Sequence, residues 1–298
     1  MQVTAGAEPP TVSDADVWKW NILQSRLQER RTVQAVELFR SEGMEPIVIK
    51  GIAAERYYPA GEARHATDVD LAVSADDYDR AQKLILTEDA AGLAIDVHRE
   101  LRQLDTVPWS DLLDNSITLT LTDGSVRVLR PEDDIRVLCV HWLTDGGMYK
   151  ERLWDLYYGI SGRSRDFDWA RLLDVVSSRR RRWIECALGL TAKYLDLNIK
   201  GTPVEGADER LPDWLIKTVE KEWATELRFQ PLDTTIHDRR LLLAQFKRRL
   251  RPNPIYATVD CEGSFDARTR IFYQMRNGLR RILPSIRRIK ISVENSPR

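Results

Sequence analysis

Apolar and polar positions repeat with two different periods along the chain, and the change of period divides it into two parts. Up to about residue 130, short runs of alternating apolar residues lie between helical segments, and such alternation is typical of strands. Beyond that point apolar residues recur every three or four positions, as on one face of a helix. The pattern predicts an α/β (α+β) protein in which a small mixed β-sheet is followed by an all-α part.

The first part is predicted to open with a long helix and to continue with strands. The helix covers residues 14–42, where Leu23 and Leu27 lie one turn apart and Gly43 is the stop signal. The other predicted elements are strand 46–50, helix 52–58, loop 59–66, strand 68–74, helix 76–87, strand 92–99, and a hairpin of 117–121 and 126–129 that turns at Asp123-Gly124.

The second part is predicted to begin at Arg130-Pro131. Proline in the first helical position, followed by Glu132 and Asp133, is typical of a helix N-terminus. Further helices are predicted over 150–160, 168–178, 180–196, 212–225, 236–250 and 265–283, with loops at 201–208 and 252–254. The expected domains are a disordered N-terminus over 1–13, an α/β domain over 14–130 and a helical domain over 131–298.

Composition and charge narrow the class of protein. The 298 residues carry a formal net charge of −1, so the chain as a whole is not drawn to polyanions. No apolar run approaches membrane-spanning length, and no secretion signal opens the sequence. The three cysteines lie far apart and form no Cys-x-x-Cys pair. We therefore expect a cytoplasmic protein with no membrane partner, no zinc site and no disulfide framework.

The candidate chemistry begins with a pair of acids. Asp68 and Asp70 are two positions apart in a predicted strand, so both carboxylates point to one face of the sheet. Two such charges repel unless a cation lies between them, and Mg²⁺ prefers oxygen ligands of this kind. Asp96 lies on a second alternating strand with His98 on the same face. The alternative is that these acids are solvated side chains on an exposed sheet face.

A basic turn precedes the acids. Lys50-Gly51 ends an apolar strand and opens a helix, where a glycine lets the backbone approach a phosphate closely. Lys50 would neutralise phosphate oxygens, and Arg64, four residues before Asp68, would bind phosphate through two parallel hydrogen bonds. The alternative is an ordinary strand–helix turn with a solvated lysine, and an arginine that only offsets the acids.

Taken in order, these motifs resemble a bacterial family of poorly characterised proteins in the nucleotidyltransferase-fold superfamily. The resemblance covers roughly residues 20–200, and it rests on the order and spacing of short pieces. The matching positions are Lys50-Gly51, Tyr58-Pro59, Arg64, Thr67 to Val73, Asp96-Val97-His98, His141-Trp142 and Trp154-Asp155.

The resemblance implies a nucleotidyltransferase that moves an NMP from an NTP, by default ATP, to a hydroxyl or amine and releases pyrophosphate. Mg²⁺ or Mn²⁺ would be held by Asp68, Asp70 and Asp96, the last as third ligand or general base. Contacts with the nucleotide or acceptor are expected from Lys50, Gly51, Arg64, His98, His141 and Asp155. A structural role for His98, and core packing of the aromatic residues around His141 and Asp155, are the alternatives.

The acceptor is expected to be a small molecule, a peptide or an RNA. From Arg239 to Lys290 the chain carries 14 Lys/Arg against 3 Asp/Glu, and Ser178 to Arg182 adds a second basic run. These stretches indicate either an RNA surface, as in toxin-like transferases that act on tRNA, or amphipathic helices with basic outer faces. A non-catalytic nucleotide-binding regulator or partner-binding protein is also open, because Ile52 stands where many nucleotidyltransferases have serine.

Overall fold

The computed structural model describes residues 14–64, 66–225 and 252–280. The chain forms two compact units, and the second includes a short segment inserted into the sequence of the first. The first unit comprises the residues up to Glu100 together with Trp109–Arg130. The second comprises Leu101–Pro108 and the residues from Pro131 onward. The expected N-terminal disorder, the predicted helix 236–250 and the last residues of the predicted helix 265–283 lie outside the described residues.

The first unit contains a five-stranded mixed sheet of order β3-β2-β1-β5-β4. β1 is antiparallel to β2 and parallel to β5, β2 is parallel to β3, and β4 is antiparallel to β5. The strands are β1 Ile47–Val48, β2 Val69–Val73, β3 Ile95–Arg99, β4 Ile117–Thr120 and β5 Ser125–Val128. This sheet confirms the predicted α+β class.

Four α-helices belong to the described part of the same unit: α1 Asp14–Ser41, α2 Gly51–Glu55, α3 Tyr78–Leu84 and α4 Trp109–Asp114. α1 ends as predicted, because Gly43 takes a φ of 72° that a residue with a side chain rarely adopts. α4 was not predicted from the sequence. Val33 and Phe39 of α1 lie in one hydrophobic cluster with Val69 and Leu71 of β2. Since side chains alternate along a strand, Asp70 faces away from this core.

The start of β3 differs from the prediction for a backbone reason, whereas its end at Arg99 is as predicted. Ala94 and Glu100 both have positive φ, at 50° and 53°, and they bound β3 on either side. The predicted strand 92–99 is therefore shortened to five residues. The hairpin of β4 and β5 confirms its prediction, and Gly124 in its turn lies so close to α1 that an added Cβ would be 2.8 Å from Cγ1 of Val33.

The described residues of the second unit form helices around α5. These are α5 Pro131–Thr144, α6 Leu153–Ser161, α7 Trp169–Leu173, α8 Ser178–Leu195, α9 Asp213–Trp223 and α10 Pro254–Asp260, followed by helical residues 271–280. α5 starts at the predicted proline and packs against α6, α7, α8 and α10. Short 3₁₀ turns occur at Glu88–Ala90 in the first unit and at Lys150–Arg152 in the second.

A buried ionic network joins the inserted segment to the helices of the second unit. The guanidinium of Arg136 on α5 donates from Nε to both oxygens of Asp105, at 3.0 and 2.9 Å. Its Nη2 also contacts Asp133 at 2.6 Å, and Arg171 of α7 contacts the same carboxylate. The side chains of Asp105, Asp133 and Arg136 are almost completely buried. Because buried charges need partners, this network fixes residues 101–108 against α5.

Three predictions for the helical part were wrong in detail. The predicted helix 168–178 ends at Leu173, and a separate helix begins after Ser177, whose hydroxyl accepts from the backbone N–H of Arg180. The predicted loop 252–254 ends one residue early, because Asn253 caps α10 and Pro254 takes its first position. The predicted helix 265–283 is irregular over residues 265–270, where the Phe265 carbonyl accepts a hydrogen bond from the indole of Trp214.

Candidate active site

The candidate site lies on neighbouring strands at the β1–β2–β3 side of the sheet. β2 and β3 are parallel, and their register pairs Asp70 with Asp96 and Ala72 with His98. Paired residues of neighbouring strands point to the same face, and so do residues two apart. Asp70, Asp96 and His98 therefore share the sheet face opposite the hydrophobic cluster. Lys50 reaches the same place from the residue that precedes α2.

Asp70 is the buried centre of this group. Its side chain is only 6% exposed, and its Oδ1 forms an ion pair with the ammonium of Lys50, which is itself 10% exposed. The same oxygen lies 3.1 Å from Nε2 of His98. A buried carboxylate with two such partners is held in one position, so it is a preformed part of the site.

These partners set the ionisation of Asp70. Burial by itself raises the pKa of the Asp70 carboxyl, but the hydrogen bond from His98 and the charge of Lys50 outweigh burial. The pKa therefore lies below its usual value, and the carboxyl is ionised at neutral pH. A group of this kind is a poor proton acceptor and a good ligand for a cation.

Asp96 and His98 complete a set of three possible ligands. Nε2 of His98 lies 3.4 Å from Oδ2 of Asp96, whose side chain is 58% exposed. One ligand atom from each of Asp70, Asp96 and His98 lies within 4.8 Å of the other two, the one such group among the described residues. Carboxylate oxygens suit Mg²⁺ and Mn²⁺, and imidazole nitrogen suits transition metals. The residues present therefore fit a divalent cation.

The turn at Lys50-Gly51 has an unusual backbone. Lys50 has a φ of 56° and a ψ of −139°, and Gly51 has a φ of 31°. A non-glycine residue in such a conformation costs of order 1–3 kcal/mol, and such strain tends to occur at functional sites. This backbone conformation directs the Lys50 side chain towards Asp70. Gly51, which has no side chain, is the first residue of α2.

Asp68 and Arg64 are placed differently from Asp70. β2 begins at Val69, so Asp68 precedes the strand, is exposed, and accepts a 3.4 Å hydrogen bond from the hydroxyl of Thr67. Its carboxylate is not part of the ligand group found in the described part of the chain. Arg64 lies in the irregular segment before β2 and is partly exposed. The role of Asp68 as a metal ligand and the role of Arg64 as a phosphate ligand both stay predictions.

Gln28 is a residue of this region that the sequence interpretation missed. It is only 5% exposed on α1, and its side-chain amide donates to the backbone carbonyl of Asp68 at 2.7 Å. The bond fixes the chain where it enters β2, just before the buried Asp70. The signal in the sequence was a polar residue two turns before Val36 and three turns before Phe39, on the face of α1 that is buried.

His141 and Asp155 belong to the helical unit, on α5 and α6. Nδ1 of His141 lies 3.7 Å from Oδ2 of Asp145, and Asp155 is only 2% exposed. Beside Asp155, the ring of Trp154 stacks on Tyr158 with centroids 5.4 Å apart. Their predicted contacts with a base or an acceptor stay predictions.

The basic run at the start of α8 is engaged in contacts within its own unit. Arg180 is buried and pairs with Glu262, whose backbone carbonyl accepts from Arg179. Arg181 pairs with Asp174 and Glu185, and Arg182 pairs with Glu185 and Asp266. These contacts favour a structural role for this run. Ten of the 14 Lys/Arg residues between Arg239 and Lys290 lie outside the described residues.

None of the helices in the described ranges is both long and apolar enough to cross a membrane.

Comparisons with known proteins give one match. No curated protein and no solved structure matches the chain. Residues 9–196, more than half of the sequence, match the family model described as "Uncharacterised nucleotidyltransferase".

Proposed function

Because the chain belongs to the uncharacterised nucleotidyltransferase family, we propose that it is a divalent-cation-dependent enzyme that transfers an NMP from an NTP to a hydroxyl or amine. Family membership supports nucleotidyl transfer in general. The observation that carries the finer proposal is the buried, ionised Asp70 between Lys50 and His98, with Asp96 beside it.

The cation proposed for this site is Mg²⁺ or Mn²⁺, held by Asp70 and Asp96 with His98 alongside. When bound, such an ion neutralises charge on the phosphates of the NTP and the further charge that develops during transfer. Asp68 is proposed as an additional ligand, since it lies two residues before Asp70 and is accessible to solvent.

The chain's own groups have separate tasks in this proposal. The acceptor oxygen or nitrogen forms a bond to the α-phosphorus, the bond from that phosphorus to the bridging oxygen breaks, and pyrophosphate leaves with the electron pair. The acceptor proton passes to the exposed carboxylate of Asp96 or to water. Lys50 and Arg64 bind phosphate oxygens, and Gly51 lets the backbone come close to them.

The donor is proposed to be ATP, on the ground of its abundance. The acceptor is a small molecule, a peptide or an RNA that presents a hydroxyl or an amine. His141 and Asp155 of the helical unit are proposed to contact the base or the acceptor.

The test is incubation of the full chain with each of the common NTPs, Mg²⁺ or Mn²⁺, and pools of candidate acceptors. Pyrophosphate release and a mass increase of one NMP on an acceptor are the expected results. Asp70→Asn should abolish both, because it removes the ionised carboxylate. Asp89→Asn is the matched control, since Asp89 is exposed in the 3₁₀ turn of the same unit. Absence of product with every NTP, together with absence of cation-dependent nucleotide binding, contradicts the proposal.

A non-catalytic nucleotide-binding protein is the second candidate. It is favoured by the exposed position of Asp68, which leaves two carboxylates rather than three in the ligand group of the described residues. Asp96→Ala separates the two candidates. If the chain is an enzyme, Asp96→Ala loses turnover while NTP binding largely persists. If it is a binding protein, both the wild-type chain and Asp96→Ala bind nucleotide, and neither shows turnover with any acceptor.

A further inference from the structure

We infer that His98 is a direct ligand of the cation and makes the site selective for Mn²⁺ over Mg²⁺. The inference rests on the proposed function, because it concerns the identity of the cation at the same site. It follows from which side chains converge there, from their spacing and from the chemistry of their ligand atoms.

The convergence comes from the sheet register. Ala72 of β2 is the partner of His98, so the imidazole lies two residues further along the same face that carries Asp70 and Asp96. The side chain of His98 is 27% exposed, and its Nε2 is the ring atom that faces both carboxylates. A solvated surface histidine would not be held between two acids in this way.

The spacing of these atoms fits coordination. Neighbouring ligands of an octahedral ion lie about 3.0 Å apart when each is about 2.1 Å from the metal. Nε2 of His98 is 3.1 Å from Oδ1 of Asp70 and 3.4 Å from Oδ2 of Asp96. A hydrogen bond from His98 to Asp70 has the same heavy-atom distance, so the experiment must detect the metal–nitrogen bond itself.

The ligand atoms set the selectivity. Mg²⁺ binds carboxylates, phosphates and water, whereas imidazole suits transition metals. The group found among the described residues holds one imidazole nitrogen beside two carboxylates, and Asp68, the additional ligand proposed above, is exposed and outside it. A ligand set that includes a nitrogen favours Mn²⁺.

The test uses the full-length, metal-stripped chain with Mn²⁺ or Mg²⁺ alone, without nucleotide. Pulsed electron paramagnetic resonance of bound Mn²⁺ should show hyperfine coupling to a directly bound nitrogen. The coupling pattern should change when histidine carries a nitrogen isotope label, which assigns the nitrogen to imidazole and needs no variant. His141→Gln is the control, because it removes an imidazole of the helical unit and should leave the coupling intact.

His98→Asp then tests selectivity by converting the group to all-oxygen ligands. We expect it to abolish the coupling and to lower the preference for Mn²⁺ over Mg²⁺ by about tenfold or more, since the loss of a partner that only supports a metal ligand already changes metal affinity by about 10–100-fold. Mn²⁺ binding is measured from the signal of the free ion, and Mg²⁺ binding by competition. Circular dichroism without metal verifies that the variant is folded.

Two results overturn the inference: bound Mn²⁺ without histidine nitrogen coupling in the wild-type chain, or an unchanged preference in folded His98→Asp. Lack of binding of either ion overturns it as well. Pyrophosphate release with Mg²⁺ in the absence of nitrogen coupling leaves the transferase proposal standing and removes this inference. Nitrogen coupling without product from any NTP supports this inference and counts against the transferase proposal.

Discussion

The ion pair between Lys50 and Asp70 offers the sharpest test of how the site is built. Lys50→Met keeps the length of the side chain and removes its charge, while the hydrogen bond between His98 and Asp70 stays in place. Both members of the pair are at least nine-tenths buried, so solvent cannot take the place of the ammonium. The variant therefore leaves a buried carboxylate with reduced compensation.

The expected magnitude follows from burial. Opposite unit charges about 3 Å apart attract each other by about 5 kcal/mol at an effective dielectric constant of about 20. Removal of one partner of a buried pair costs about 3–5 kcal/mol. Because the His98 hydrogen bond continues to favour the ionised form of Asp70, we expect the lower end of that range, about 3 kcal/mol at neutral pH.

The loss should depend on pH. Burial raises the pKa of Asp70, but His98 and Lys50 bring it below its usual value in the folded wild type. A carboxyl with a depressed folded pKa stabilises the protein above its unfolded pKa and ceases to do so as pH falls through the folded pKa. Without Lys50 the folded pKa rises, and Asp70 becomes protonated at higher pH. The difference between the two proteins is therefore largest at neutral pH and smaller at pH about 4.

Hydrogen exchange of peptides that cover β2 and β3 measures this local free energy, once it is corrected for intrinsic exchange rates at each pH. The control is Lys83→Met, which removes an exposed lysine from α3 and should change protection by less than about 0.5 kcal/mol. A loss below about 1 kcal/mol at neutral pH, or one that is the same at both pH values, refutes the reasoning about the buried pair.

Two further predictions concern buried polar contacts that stabilise the fold. Gln28→Leu removes the hydrogen bond to the Asp68 carbonyl and should lower the free energy of unfolding by about 1 kcal/mol. It should also lower kcat of the proposed transfer about tenfold, because the chain is held less firmly where it enters β2. Gln34→Leu, at an exposed position of α1, is the control, and an unchanged kcat in Gln28→Leu contradicts the assigned role. Arg136→Met should destabilise the helical unit by about 3–5 kcal/mol in urea unfolding followed by exchange of α5 peptides. Arg181→Met removes one partner of a half-exposed ion pair and should lower the free energy of unfolding by less than about 1 kcal/mol. Equal losses in Arg136→Met and Arg181→Met would show that burial is not the cause.

Local sequence signals predicted most elements of the fold but misplaced several of their ends. The alternation of apolar residues identified β2 and β3, and Pro131 with its acids identified the start of α5. The start of β3 depends on the positive φ of Ala94, which nothing in its residue type announces. The two helices that were missed in the described ranges are short, α4 with six residues and α10 with seven, so neither shows enough periodicity to be recognised.

Asn253-Pro254 before α10 was nevertheless a readable signal. Asparagine is a favoured cap and proline a favoured first helical residue. The structure uses both, since Oδ1 of Asn253 accepts from the backbone N–H groups of Ile255 and Tyr256.

The sequence by itself identified the candidate side chains of the site and determined that Asp70 faces away from the core, since side-chain direction follows from the two-residue period of a strand. Only the tertiary structure decided which of these candidate side chains lie close together. The parallel register of β2 and β3 puts Asp96 and His98 beside Asp70, and the backbone at Lys50 turns its ammonium to the same oxygen. Asp68 precedes β2 and is left in solvent. Register and backbone torsion depend on contacts between residues far apart in the chain, and a local pattern does not contain them.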